Sequence, residues 1–193
     1  MTVLVIDVGG THVKMRLSTN TERRQFDSGD DFTPQKLVDG VRRHTKDWKF
    51  DVATIGLPTP VLRGRVMEEP WNLGRGWVGF DFSAALGVPV KILNDAAMQA
   101  LGSDEGGRML FLGLGSGLGT ALVDDGHVVA LEMGHLPFRD KTFEDYVGQR
   151  GLIESGEVAW RHTVLEVAER LRDAVAAEYV VLGGGNVRLF GDL

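Results

Sequence analysis

Three clusters of glycine, each at the end of an apolar run, constrain this chain more than any other feature. Gly9-Gly10 follows Val3 to Val8, Gly113 to Gly119 follows Met109 to Leu112, and Gly183-Gly184-Gly185 follows Tyr179 to Leu182. Such clusters mark backbone that must turn sharply or approach a ligand closely, and the 26 glycines of the chain gather there rather than spreading evenly. The β-branched run Val3 to Val8 reads as a buried strand, and Val13 to Leu17 alternates apolar with polar as a half-exposed strand does, so Gly9-Gly10-Thr11 is a tight hairpin between them. The second half repeats the theme with Met109 to Gly113, a glycine turn, Thr120 to Val123, the turn Asp124-Asp125-Gly126 and Val128 to Leu131.

Between these landmarks the pattern predicts a polar strand over Thr21 to Phe26, an amphipathic helix over Pro34 to Trp48 and a strand over Val52 to Leu57. A proline-broken loop, a short helix at Phe82 to Leu86, a strand at Val90 to Leu93 and a helix at Ala96 to Leu101 follow. One helical region is expected over Thr142 to Ala177 before the last strand. Two halves with the same order of elements suggest a duplicated α/β architecture of two lobes, 1–103 and 104–193, joined at the polar, glycine-containing Ser103 to Gly107, with a ligand cleft between them.

Bulk composition removes several alternatives. A content of 43% hydrophobic and 25% charged residues is that of a folded globular protein. A net charge of −6 disfavours a grip on nucleic acid. The absence of cysteine excludes disulfides and thiolate zinc sites and suits a reducing compartment. No apolar run is long enough to span a bilayer, and the N-terminus lacks a basic stretch and meets Asp7 after four apolar residues, so the expectation is a cytoplasmic protein without a signal peptide.

The candidate chemistry is spread over both halves. Asp7 with Gly9, Gly10 and Thr11 can gather backbone N–H groups and a hydroxyl around phosphate oxygens, with the carboxylate placed for a hydrated Mg²⁺; an ordinary Gly-Gly hairpin is the equal alternative. Gly115, Ser116 and Gly117 superficially match a dinucleotide fingerprint, but strand follows rather than helix, which leaves a second glycine hairpin able to approach phosphate. Asn94 and Asp95 both favour helix N-caps; capping needs only one, and a carboxylate there can accept the proton of an attacking hydroxyl. Glu132, His135 and Glu144 suit hydrogen bonding to vicinal sugar hydroxyls better than zinc, although a solvated loop explains each taken singly. Trp71 and Trp77 are assigned to packing, Asn72 is kept as a ligand contact, and His12, His44, His127 and His162 are read as partnerless surface residues.

Read in order, Asp7 to Thr11, Ile55 to Pro58, Trp71 to Leu73 with Gly76-Trp77, Leu93 to Ala96, Leu112 to Thr120, Glu132 to His135, Glu144 and Val181 to Asn186 resemble the ROK family of sugar kinases, most of all its short members related to polyphosphate glucokinase. The resemblance implies an actin-like ATPase (ribonuclease H-like) fold and transfer of a phosphoryl group from ATP or polyphosphate to the 6-hydroxyl of a hexose such as glucose. It implies Asp95 as catalytic base and Asn94, Glu132, His135 and Glu144 as sugar ligands. The turns at Gly9 to Thr11 and Gly115 to Gly117, with Gly183 and Gly184, would contact phosphate and adenosine. This chain departs from the family in having Pro137 to Phe143 where many members carry a cysteine-rich zinc loop, and in ending at Leu193 without the usual final helix, which leaves a homodimer contact open. Arg63, Arg65, Arg75 and Arg108 are scattered candidates for a polyphosphate lining. The alternatives weighed are a non-catalytic sugar sensor, as in ROK repressors, and another actin-like ATPase with no need of the sugar set.

Overall fold

A computed structural model describes residues 1–191. The first half contains β1 (Val3–Val8), β2 (His12–Leu17), β3 (Arg23–Asp27), α1 (Pro34–His44), β4 (Val52–Leu57), a small hairpin of β5 (Val61–Leu62) and β6 (Arg65–Val66), α2 (Phe82–Leu86) and β7 (Val90–Asn94). The second half contains α3 (Asp95–Gly102), β8 (Arg108–Leu114), β9 (Leu118–Asp124), β10 (His127–Leu131), a hairpin of β11 (Pro137–Phe138) and β12 (Lys141–Thr142), α4 (Phe143–Val147), α5 (Gln149–Ser155), α6 (Glu157–Ala174) and β13 (Tyr179–Gly183). The fold is mixed α/β, and its packing separates two compact units, Met1–Asp95 and Ala96 onward.

In the first unit the strands lie in the order β3-β2-β1-β4-β7, antiparallel through β3, β2 and β1 and parallel from β1 to β4 to β7. Period-2 alternation sets its face: Leu4, Ile6 and Val8 pair across to Leu17, Met15 and Val13, and all six are buried in one cluster with Leu37, Val38 and Val41 of α1. The other face of β2 carries His12, Lys14 and Arg16 to the surface. Thr33 caps α1, accepting from Lys36 N at 3.3 Å, and Pro34 occupies its first position.

The second unit repeats the arrangement as β10-β9-β8-β13, with β13 parallel to β8. Here β8 is covered on both sides, so its sequence reads as a continuous apolar run. Leu110, Leu112 and Leu114 pack with Trp160, Val164, Val167 and Leu171 of α6, whereas Met109 and Phe111 pack with Ala96, Ala97 and Ala100 of α3. That alanine face is why the division falls before α3, at Asp95, and not after it near Ser103. Asp125 and Gly126 both have positive φ, 47° and 77°, and make the two-residue turn between β9 and β10 that the Asp-Gly pair predicts.

Three local expectations are corrected. The helical region over Thr142 to Ala177 is three helices, broken where Gly148 and Gly156 end α4 and α5. Trp71 does not pack: it is 84% exposed, while Trp77 is fully buried with its indole N–H donating to the Gly74 carbonyl at 2.8 Å. Nor are three of the histidines partnerless: the His44 ring stacks on Phe26 at 4.9 Å with its Nδ1 2.8 Å from the Gly40 carbonyl, His12 Nδ1 lies 3.0 Å from Thr11 Oγ1, and His127 Nδ1 lies 3.1 Å from the Asp125 carbonyl. Among the described residues no helix is long and apolar enough to cross a membrane.

Candidate active site

In the first unit the chain leaves β1 at Val8 and re-enters the sheet at His12, and Gly9 N closes the turn on the His12 carbonyl at 3.0 Å. Ser28 braces it from outside, its Oγ donating to the Gly9 carbonyl at 2.6 Å and its N to the Thr11 carbonyl at 3.0 Å. Asn72 stands against Gly10 so closely that a Cβ there would lie 2.8 Å from Nδ2 and would displace the amide. Asn72 Oδ1 is buried without a hydrogen-bond partner among the described residues, an orphan acceptor that a ligand donor or a water would satisfy. The structure thus brings Asn72 to the first glycine turn.

Asp7 lies opposite Lys14 across β1 and β2, one residue before the turn-proximal Val8. Burial pushes its carboxyl above the usual carboxylate range, and the Lys14 ammonium partly opposes this. A buried carboxylate beside a glycine turn is of the type that could hold Mg²⁺, which takes one or two carboxylates and otherwise keeps water and substrate phosphates. Among the described residues no group of three or more His, Asp or Glu side chains forms a metal cage. Asn94 closes β7, its Nδ2 donating to the Thr59 carbonyl at 3.4 Å, and Asp95 opens α3.

The second unit gathers a larger set. Gly115, Ser116 and Gly117 join β8 to β9, with Gly115 N donating to the Gly117 carbonyl at 3.2 Å. Gln149 N, at the start of α5, donates to the carbonyls of Gly115 at 3.0 Å and Ser116 at 3.2 Å. In a trans peptide the C=O and the following N–H point opposite ways, so the N–H groups of Ser116 and Gly117 face away from α5 together, the arrangement that receives an anion.

Glu144, in the first turn of α4, accepts from Leu118 N at 3.1 Å and leaves no room at position 117, where a Cβ would fall 2.0 Å from its Oε2. Its Oε1 is 3.9 Å from His135 Nε2, and His135 Nδ1 is 3.9 Å from Glu132 Oε2. These separations exceed a direct hydrogen bond, so the two carboxylates flank the imidazole, one at each ring nitrogen, without bonding it directly. His135 and Glu132 remain 69% and 58% exposed, open to a ligand.

The turn carrying Glu132 and His135 is held by Thr120, whose buried Oγ1 donates to the Leu131 carbonyl at 2.8 Å and accepts from Met133 N at 3.2 Å. Gly134 sits where a Cβ would meet the Leu118 carbonyl at 2.7 Å. The last glycine motif also abuts the second turn: Gly184 has φ 84°, and a Cβ would lie 2.4 Å from the Leu114 carbonyl. Gly183 is pressed by the Phe111 ring. Ala96, directly after Asp95, touches the outgoing strand of the same turn, where a methyl at position 119 would come within 3.0 Å of its side chain.

Sequence reasoning missed Thr120, Gln149 and Asn186, whose roles rest on pairing with residues far along the chain. It also missed Glu69, which accepts from Gly76 N and Trp77 N at 3.0 Å each and shapes the loop after Asn72. An acid preceding a glycine-rich loop was the one available signal. Of the arginines proposed for a polyphosphate lining, Arg108 is engaged with Asp124 at 2.5 Å and with the Val175 carbonyl at 3.0 Å.

Solved structures similar to this chain include sugar kinases of the ROK family, whose actin-like ATPase fold it shares. One such neighbour is the inorganic polyphosphate/ATP-glucomannokinase from Arthrobacter sp. strain KM, with a TM-score of 0.79 at 22% identity over 97% of this chain and 85% of that one. The ROK hexokinase from Thermus thermophilus gives 0.70 at 20% identity, over 97% and 83%. A ROK family transcriptional regulator, described as a homolog of the E. coli MLC protein, gives 0.68 at 17%, over 82% and 49%. In sequence, the bifunctional enzyme NanE/NanK of Brucella melitensis is 28% identical over 151 residues, 66% of this chain and 27% of that protein. The chain therefore spans about a quarter of the length of the curated relatives it matches. No family model matches it.

Proposed function

We propose that the chain belongs to the ROK family and is a hexokinase-type phosphotransferase that moves a phosphoryl group from ATP or polyphosphate to the 6-hydroxyl of a hexose, with glucose the first candidate. The convergence of Glu132, His135 and Glu144 beside the second glycine turn carries this reading, because an ATPase without a sugar substrate has no need of that set. Two glycine turns at equivalent places in two like sheets, and the sugar-kinase neighbours, support it.

In this reading Glu132, His135, Glu144 and Asn94 take the sugar hydroxyls, with Asn72, beside the first glycine turn, a further ligand contact. Asp95 accepts the proton as the sugar O6–H bond breaks; O6 then bonds to the terminal phosphorus while the bridging P–O bond breaks, releasing ADP or a shortened polyphosphate. The turns at Gly9 to Thr11 and Gly115 to Gly117, with Gly183 and Gly184, hold the donor and disperse its charge through backbone N–H groups. Mg²⁺ held through Asp7 would neutralise charge on the donor phosphates. Catalysis then consists of positioning and electrostatics, with Asp95 acting mainly in the transition state.

Coupled measurement of sugar phosphate formation tests this. Asp95→Ala should lower kcat by about 10²–10⁴-fold with sugar affinity retained. A wild-type rate no higher than that of the variant refutes the proposal. The regulator neighbour motivates a second reading, sugar binding without turnover, which the same assay distinguishes when sugar raises the melting temperature but no product forms.

A further inference from the structure

The second glycine turn is gripped from behind by a residue that none of the chemistry above uses. Asn186 lies in the 3₁₀ turn after β13, directly beyond Gly183-Gly184-Gly185. Its Nδ2 is 3.3 Å from the Gly115 carbonyl and 3.2 Å from Gln149 Oε1. The Gly115 carbonyl can only accept, so the Asn186 amide presents its NH₂ to it, and the Gln149 side chain turns its oxygen to the same group. The Gly115 carbonyl already takes Gln149 N at 3.0 Å, and Asn186 fills its second lone pair.

Both bonds hold the peptide plane between Gly115 and Ser116 from its carbonyl side, which fixes the opposite direction for the Ser116 N–H. Gly115 itself offers no resistance to rotation through its side, because nothing lies within 4 Å of where its Cβ would be. The two hydrogen bonds to the Gly115 carbonyl therefore brace that plane. Asn186 is also fastened to the last glycine motif, because Gly184 rests against the backbone of Leu114, the residue before Gly115.

We propose that Asn186 is a positioning residue that couples the glycine motif after β13 to the phosphate turn between β8 and β9, so that affinity for the phosphoryl donor, and not for the sugar, depends on it. The proposal rests on the reading of that turn as the donor's seat. Of the Glu132, His135 and Glu144 set, Glu144 meets the outgoing side of the turn through Leu118 N, a contact that does not involve Asn186.

The test titrates ATP, tripolyphosphate and glucose separately into the wild type, Asn186→Ala, Asn186→Asp and Gln149→Ala, alongside melting temperatures and steady-state rates. Asn186→Ala should weaken ATP and tripolyphosphate about 5- to 12-fold, the loss of a bond worth roughly 1–1.5 kcal/mol, with glucose binding unchanged. Asn186→Asp, equal in size, should not rescue, because a carboxylate would face two carbonyl-type oxygens. Gln149→Ala should have the smaller effect, since its backbone N–H stays on Gly115. A lowered melting temperature with unchanged donor affinity, or equal losses for donor and sugar, overturns the proposal. A wild type that turns over sugar while Asn186→Ala binds ATP normally overturns it and leaves the kinase reading standing. If the wild type makes no sugar phosphate yet Asn186→Ala weakens ATP, the coupling stands and the kinase reading falls; if the wild type binds neither ATP nor tripolyphosphate, both fall.

Discussion

Replacing Gly117 by alanine separates the chemistry of the site from the stability of the fold. Gly117 does not occupy the left-handed region, so its backbone tolerates a side chain, and the nearest atoms to the new methyl all belong to Glu144, at 2.0, 2.7 and 3.3 Å. Glu144 is the flexible partner and must swing away, giving up Leu118 N and its place 3.9 Å from His135. A hydrogen bond to a charged group contributes about 1.5–3 kcal/mol. If Glu144 makes one such bond to the sugar, KM for sugar should rise roughly 10- to 100-fold.

The stability cost is the stranded Leu118 N–H, about 1–3 kcal/mol, or a melting temperature lower by roughly 2–12 °C for a chain of this size. Gly134→Ala is the contrast, because its methyl would meet the rigid Leu118 carbonyl at 2.7 Å and should damage folding itself. Steady-state kinetics in sugar, beside thermal melts of both variants, make the check. A Gly117→Ala protein with a reduced melting temperature and unchanged sugar KM would refute the assignment of Glu144 to the sugar.

Two further outcomes concern charge. Because burial raises the Asp7 carboxyl above its unfolded value, the folded state holds that proton more tightly, and stability falls as pH rises through the interval between the two values. Asp7→Asn should therefore melt higher than wild type at neutral pH, with the difference vanishing below the ordinary carboxylate range, while turnover is lost; equal melting across pH would refute it. Asp47 behaves oppositely: the Arg24 guanidinium, bonded to it at 2.6 and 2.8 Å, holds its carboxyl at about 2. Its stabilisation is present above the unfolded value of 3.8 and lost as pH falls through about 2, so Asp47→Asn and wild type should melt differently at neutral pH and converge in strong acid. A gap that persists there would refute it.

Much of the fold was legible because its signals are local. The alternation in Val13 to Leu17, the continuous apolar run of β8 and the Asp-Gly turn at 125–126 each follow from the period of a strand or the φ a turn demands, and such properties need only neighbouring residues. Trp71 and Trp77 show the limit, since equal side chains six residues apart ended at opposite extremes of exposure. The residue types of the site were readable in the same way, as glycine turns and as carboxylates following strands.

What spacing along the chain could not decide was which of those groups meet. Glu144 reaches Leu118 across 26 positions and Asn186 reaches Gly115 across 71, contacts made when β9 and β13 take their places beside β8. Residue type and order thus set the turns and strands by themselves, while the packing of sheets and helices alone chose their partners, because a hydrogen bond depends on distance in space and periodicity carries only distance along the backbone.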